Sequence, residues 1–559
     1  MKCLLLGLGY FASIGAVVAQ VTIPAGLEPG QIQRELQLLR APTEVQRSQL
    51  PAIPEQVAPP EAQNLRFVLQ SIAFDGATVY SSAELQAAAH DLLNREMSVA
   101  ELFRFANALT TRYRRDGYLL SQVLVPAQEI VSGHVRLLAV EGFIDRVIFR
   151  GDMPVDNSRL ERYADALRAA RPLTAAVLER QLLLINDLAG STAHGTLLPS
   201  PSMPGAAQLV IDVQRNALRT TAAYNSRNSR SLGPQRVLAD VSLAGVLGHW
   251  DQLQLSGGFS PHGELQYGSA QYSLPVGGRG ASGSVSYLAL KSRPGIAANL
   301  ASPDLKTEAQ ALTLGANLPL LRSRTRNVAL RMALRGFDGR TELIGEELSQ
   351  DRVRTVSIGL TVDWTDAARG VNLLDLEGTR GLDILSARMS GTAALPLSRL
   401  NGNATFSKMT LYAARLQSLG GGWSVLAAAQ WQKTSDSLLS PELFSFGGEP
   451  FGRGYDASEL TGDQGKAVKI ELRYASVVPL RNGPAYSAYA FGDWGEARRH
   501  DPINEAALDR AASWGLGMRL TSADGRWQGF VEFADPLDQL VASEGNRKPR
   551  IFVGLQFNL

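Results

Sequence analysis

The chain of 559 residues is poor in cysteine, histidine and charge. Its one cysteine, Cys3, falls in a segment expected to be removed, so the mature chain has no disulfide and no thiolate chemistry. Charged residues make up 19% and the net charge is only +2, which excludes the basic footprint of a nucleic-acid binder. Six histidines are scattered without ligand spacing. There is no Gly-x-Ser-x-Gly, no His-Glu-x-x-His and no phosphate-cradling Gly-x-x-x-x-Gly-Lys. These absences leave no catalytic residue to name, no metal, no cofactor and no enzyme reading. No apolar run reaches the ~20 residues a spanning helix needs. A secreted chain of this kind either stays soluble or crosses a membrane as a closed barrel.

What is present begins with a secretory leader over 1–19: Lys2, an apolar stretch from Leu4 to Val18, and small residues ending at Ala19. Residues 20–40 then hold one expected helix over 26–40, with Pro29 in its first turn. Ile32, Leu36 and Leu39 give it a narrow apolar stripe, and polar side chains cover the rest, so it suits no dry core. Its fifteen residues would span roughly 22 Å. A proline-rich linker over 41–63 could extend to roughly 70 Å, so the helix is free to act far from its sequence neighbours.

From 64 to 215 compact α/β patterning repeats. Phe74-Asp75-Gly76 closes one short strand and Phe149-Arg150-Gly151 another. Ser81-x-x-Glu84 and Ser98-x-x-Glu101 are capping boxes that open two helices. Strands are expected over 118–125 and 134–141. The second repeat has helices near 156–169 and 174–188 and strands near 193–198 and 208–214. Each unit is β-α-α-β-β, over 64–141 and 142–215. An exposed sheet edge can receive an extended polypeptide as an added strand. The candidate edges are Leu119, Leu120, Val123 and Val125 in the first unit and Gly195 and Leu197 in the second, with ordinary core strands as the alternative.

From 216 to 559 apolar–polar alternation recurs in segments of about ten residues, the signature of a membrane barrel. Sixteen segments are expected, near 217–226, 236–246, 249–259, 265–275, 280–292, 307–317, 325–337, 352–365, 372–388, 403–418, 422–434, 466–476, 484–495, 511–521, 526–535 and 550–559. In the clearest, Val468, Ile470, Leu472 and Tyr474 face lipid while Lys469, Glu471 and Arg473 face the lumen.

Between segments eleven and twelve lies a glycine-rich loop, 435–465, holding Phe451-Gly452-Arg453-Gly454-Tyr455. Phe491-Gly492-Asp493-Trp494-Gly495 follows on segment thirteen. Asp493 shares a face with Tyr489 and Phe491, and an aspartate is tolerated toward a wet lumen but not toward lipid. Arginine suits it as a partner because its planar fork grips a carboxylate with two hydrogen bonds. On this reading the loop folds into the lumen and Arg453 meets Asp493. Exchanging the two charges is then expected to restore some of the activity lost in the single variants.

Tandem units of this kind before a β-rich half resemble POTRA (polypeptide-transport-associated) domains. The two pentapeptides resemble the (V/I/L/F)-R-G-(F/Y) loop motif and the F/G-x-D-x-G wall motif of the superfamily of the barrel-assembly protein and the TpsB transporters of two-partner secretion. Gly452 stands where an aliphatic residue is often found. With two POTRA-like units and sixteen segments, the chain resembles the TpsB transporters along nearly its whole length.

The resemblance implies an all-β membrane protein: a sixteen-stranded transmembrane barrel preceded by two POTRA domains and a plug helix. It implies a Gram-negative outer-membrane location with the POTRA domains in the periplasm. It also implies an unfolded TpsA-type exoprotein as client, secreted to the cell surface, with activation of a haemolysin or adhesin as a further expectation and no nucleic acid involved. The final strand, Ile551 to Leu559, resembles the segment read by the barrel-assembly machinery, although it ends in Leu559 rather than an aromatic residue. An insertase of the same superfamily, and a passive porin, are the alternative readings.

Overall fold

In a computed structural model of the chain, residues 24–35, 56–203, 205–295, 304–479, 483–502 and 506–559 are described. The leader and most of the linker lie outside them. Sixteen strands close an antiparallel barrel, each paired with its sequence neighbours. The first, Leu218–Asn225, closes on the last, Arg550–Asn558, through five residue pairs, from Asn225↔Gly554 to Thr221↔Asn558. Alternation sets the two faces. Val468, Ile470 and Leu472 are exposed on the outer wall, as are Ile551, Val553, Leu555 and Phe557. Glu471 and Phe552, from the same strands, are buried inside.

Three strands outrun their expected limits: Leu305–Arg322, Arg326–Leu343 and Glu346–Thr365. In the added stretches of the second and third, the buried positions Thr341, Ser349 and Asp351 are polar like their exposed neighbours, so no apolar–polar alternation marks them. The ninth strand is shorter than expected. It stops at Gly381, where a Cβ would stand 2.0 Å from the Ala404 carbonyl oxygen. Beyond it the chain turns inward, with Leu397 and Phe406 buried in the lumen.

Both capping boxes form, and each closes reciprocally. Helix Val99–Arg115 buries Leu102, Ala106, Leu109 and Tyr113 over a sheet ordered Ser71–Asp75, His134–Val140, Gln122–Leu124. A two-stranded sheet, Arg66–Val68 with Glu96–Ser98, was not expected; three-residue strands fall below any period the sequence can display. The edge strand is also shorter than expected. Tyr118–Ser121 makes a turn, with the Ser121 amide on the Tyr118 carbonyl at 3.1 Å. Leu119 and Leu120 therefore lie before the strand, and Leu120 packs against the core of the second unit.

The second unit pairs Phe143–Gly151 and Ser191–Pro199 on either side of Ala206–Arg215. It is fastened to the first: the Ala175 amide donates to the Gly117 carbonyl at 2.7 Å and the Gly142 amide to the Ser121 hydroxyl at 3.3 Å. It is also fastened to one barrel rim. Trp250, from a strand-joining turn, is buried in its core. Arg322 grips Asp187 through Nε and Nη2, both at 2.7 Å, and Arg324 reaches Glu179 at 3.0 Å. The rim carrying these turns is opposite the one from which loops 382–406 and 435–463 enter the lumen.

Candidate functional site: the occupied lumen

The loop after the eleventh strand enters as a short hairpin, Phe444–Phe446 paired with Leu460–Gly462. Its tip turns on Gly447, Gly448 and Gly452, all at positive φ. Gly452 has φ +90, and a Cβ there would lie 2.7 Å from the Phe446 ring. An aliphatic residue at this place would be strained and crowded. Gly454 lies against Ser513 and the backbone of Asp535 and Pro536.

Arg453 is buried among three carboxylates. Its Nε and backbone amide donate to Asp493 Oδ2 at 3.2 and 3.0 Å, and its Nη2 donates to Oδ1 at 3.3 Å. Its Nη1 donates to Glu471 at 2.7 Å and to Glu532 at 3.4 Å. The guanidinium carbon sits 3.4 Å from the centre of the Phe491 ring, a cation–π contact. A second layer holds the carboxylates. Arg473 and Arg519 donate to Glu471 at 2.7 and 2.9 Å, and Arg227 and Tyr489 donate to Glu532 at 2.7 and 2.8 Å.

The sequence named Asp493 but not Glu471 or Glu532 as partners of Arg453. Alternation had already put Glu471 on the lumenal face, and the same rule applied to Trp527–Pro536 puts Glu532 there beside outward Val531. What it could not supply was the distance across the lumen from three separate strands.

The remaining motif residues support the hairpin. Phe451 and Tyr455 are buried, and Tyr455 donates to the Ala512 carbonyl at 3.0 Å. Gly492 faces outward with open space around it. Gly495 faces inward, where a Cβ would stand 2.2 Å from the Phe446 ring. Gly495→Val should therefore lift the hairpin from the wall at a cost of about 1–3 kcal/mol. Trypsin added to intact cells should then cut after Arg453 faster than in the parent; equal rates would show that the wall yields instead.

Helix Pro29–Glu35 also lies in the lumen, seated on the loop. Gln31 Nε2 donates to the Ser440 carbonyl at 2.5 Å, and Gln31 Oε1 accepts from Ser458 at 3.1 Å, so one side chain ties both arms of the loop. Arg34 donates to the carbonyls of Leu443 and Pro441. From the wall, Arg335 reaches Gln33 at 2.6 Å and Arg236 reaches Glu35 at 3.3 Å. Leu27 and Ile32 are buried with Leu232, Leu290, Phe337 and Leu439, among others. The lumen around the helix is thus apolar in part, and the polar side chains of the helix meet protein partners on the loop and the wall. The stretch 36–40 of the expected helix lies outside the described residues.

Burial, and then the nearby Asp351 carboxylate, push the half-buried Glu28 carboxyl from 4.5 up to about 8. An acid whose docked pKa is raised favours docking fully below about 4.5, and that support is lost as pH rises through about 8. Pore current in planar bilayers should accordingly rise between pH 5 and 8, and Glu28→Gln should flatten the rise; a flat profile in the parent would count against it.

A hairpin clamped to the wall and a helix seated on that hairpin fill a barrel joined to two POTRA-like units. A family model described as "Haemolysin secretion/activation protein ShlB/FhaC/HecB" matches residues 205–520. The chain belongs to this family. A ShlB-type POTRA model matches residues 67–142. The transporter is 23% identical to the "Heme/hemopexin transporter protein HuxB" of Haemophilus influenzae, over 81% of each chain. It is 23% identical to "Outer membrane transporter CdiB" of Dickeya dadantii, over 82% of this chain and 81% of the relative. The solved structure of CdiB from Escherichia coli matches with a TM-score of 0.70 at 21% identity, covering 91% of this chain and 93% of that one. The transporter is an outer-membrane barrel of the TpsB type, with its POTRA region on the periplasmic side, and it secretes protein to the cell surface.

Proposed function

We propose that the transporter receives an unfolded TpsA-type exoprotein on its POTRA pair and passes it through the lumen once the helix at Pro29–Glu35 has left. The observation that carries this reading is the seat of that helix. It is held by side-chain hydrogen bonds and a small apolar patch, without a covalent tie or a continuous sheet, so it can detach without unfolding the barrel. The Arg453 clamp keeps the loop beneath it against the wall. Asp493, Glu471 and Glu532 position Arg453; Phe451, Gly452, Gly454 and Tyr455 shape the loop around it.

The described edges suited to an added strand are Val123–Val125 in the first unit and Gly195–Leu197 in the second. Folding of the client outside the cell supplies direction, so no nucleotide is needed. The barrel-assembly machinery inserts the transporter by reading its last strand, and the apolar outer wall meets outer-membrane lipid. The test is to delete the gene and compare surface and culture-medium proteins. One large protein should disappear from both and return on complementation; an unchanged secreted set together with a general loss of other barrels would indicate an insertase.

A further inference from the structure

At their cell-surface ends, four neighbouring strands each turn one cation away from the lumen. Lys433 ends Trp423–Thr434, Lys466 opens Gln464–Val477, Arg498 ends Ala485–Arg498 and Arg510 opens Leu508–Thr521. All four side chains are exposed. Their neighbours Gln432, Ala467, Ala497 and Ala511 are buried on the lumenal face, so alternation points the cations outward.

Register brings the four together. Lys466 stands opposite Trp431 on one side and Glu496 on the other, and Glu496 stands opposite Arg510. Lys433 is therefore diagonal to Lys466, and Arg498 is diagonal to both Lys466 and Arg510. Diagonal neighbours across a sheet lie about 7–8 Å apart, within reach of long side chains. Glu496 is the single acid among these outward positions. It accepts from Arg510 at 2.8 Å and pairs with Lys466 at 3.5 Å. Among the described residues, the side chains of Lys433 and Arg498 meet no acid. Four cations against one carboxylate leave the collar positive.

The apolar wall begins directly beneath it. The next outward positions are Trp431, Val468 and Ala512, and Trp494 lies below Glu496 with the Lys466 ammonium 5.5 Å from its ring centre. Elsewhere on the same rim the strand ends present exposed Phe259 and Ile551, which are apolar. The positive collar is thus local to one side of the barrel. It sits on the outer face of the wall whose inner face holds Arg453 through Glu471 and Asp493.

A cluster of cations at the edge of an apolar, tryptophan-lined surface matches an amphiphile with an anionic head and acyl chains. Arginine and lysine both bind phosphate, arginine through its planar fork. This end of the barrel meets the outer leaflet. We propose that these four strands form a binding site for a phosphate-bearing glycolipid of that leaflet. Arg498 and Lys433 take the phosphate, Lys466 and Arg510 frame it, and the acyl chains lie along Trp431, Trp494 and Val468.

The test titrates the full-length transporter in detergent, at low salt, with diphosphoryl lipid A and counts retained lipid by native mass spectrometry. Lys433→Gln combined with Arg498→Gln removes the two cations that lack acidic partners and leaves Glu496 both of its own. The double variant should bind about thirtyfold more weakly than the parent, the loss of two surface cations from an anionic lipid. Dephosphorylated lipid A should bind the parent as weakly as diphosphoryl lipid A binds the double variant, a comparison that stands even if the variant fails to fold. Inorganic phosphate should leave bound lipid in place. Equal affinity of parent and double variant for diphosphoryl lipid A, or of the parent for the two lipids, would overturn the proposal. Displacement of the lipid by inorganic phosphate alone would overturn it in favour of a free-anion site.

Discussion

Exchanging the charges of Arg453 and Asp493 is expected to leave secretion at background, in contrast to the partial rescue that the sequence suggested. In a simple pair, Arg453→Asp with Asp493→Arg would recreate the contact. Here Arg453 also serves Glu471 and Glu532. An aspartate at 453 would put a third carboxylate beside Glu471 and Glu532 in place of their guanidinium partner, where unpaired buried charge is costly. The Arg453 amide also donates to Asp493 and would lose its acceptor when 493 becomes arginine. Arg453→Ala alone should cost about 3–5 kcal/mol, as when one partner of a buried pair is removed. Asp493→Asn should be milder, because an amide oxygen still accepts from the backbone and Glu471 and Glu532 still hold the guanidinium. The assay is the amount of exoprotein in the medium and at the surface, with barrel levels matched. Recovery of the double variant to half the parent level would show that the pair alone suffices.

Ile32→Asp should open the pore. Ile32 is 1% exposed, in the apolar patch with Leu290, Phe337 and Leu439. Removing that burial forfeits about 1.5–3 kcal/mol, and a carboxylate without a partner there costs more. Docking should weaken by about a hundredfold or more, since each ~1.4 kcal/mol is tenfold. Single-channel current in planar bilayers should then approach that of a chain lacking 20–40. Arg34→Ala, which removes the donors to the Leu443 and Pro441 carbonyls, should act in the same direction but less strongly. A current unchanged by both Ile32→Asp and the deletion would mean that the helix does not block the conducting path.

Much of the barrel was legible because lipid forces a period of two on every spanning strand. Val468, Ile470 and Leu472 had to point outward, and they do. The rule fails where its cause is absent. Residues Glu346–Asp351 continue a strand in which buried Ser349 and Asp351 are as polar as their exposed neighbours, and nothing in their order announces it. Gly381 ends a strand because the Ala404 backbone crosses beside it, a contact between residues far from any local pattern. The site divides in the same way. Asp493 was legible because a single aspartate on an aromatic-flanked wall strand needs a cation. Glu532 was not singled out, because its role comes from three strands and a loop meeting in space. The edge at Leu119 and Leu120 was misplaced because Tyr118, Leu119 and Leu120 in a turn read like a strand when only composition is visible.

The seat of the lumenal helix has an evolutionary consequence. Gln31 and Arg34 bind the carbonyls of Ser440, Pro441 and Leu443, groups that every residue type presents. Mutational drift in the side chains of 440 and 443 therefore leaves these bonds available, whereas positions 31 and 34 must keep long side chains with nitrogen donors. Selection on these carbonyl bonds falls on the helix alone, and Ser458, whose hydroxyl donates to Gln31, is the loop side chain tied to it. The loop can diversify toward new cargo while the same short helix continues to recognise it.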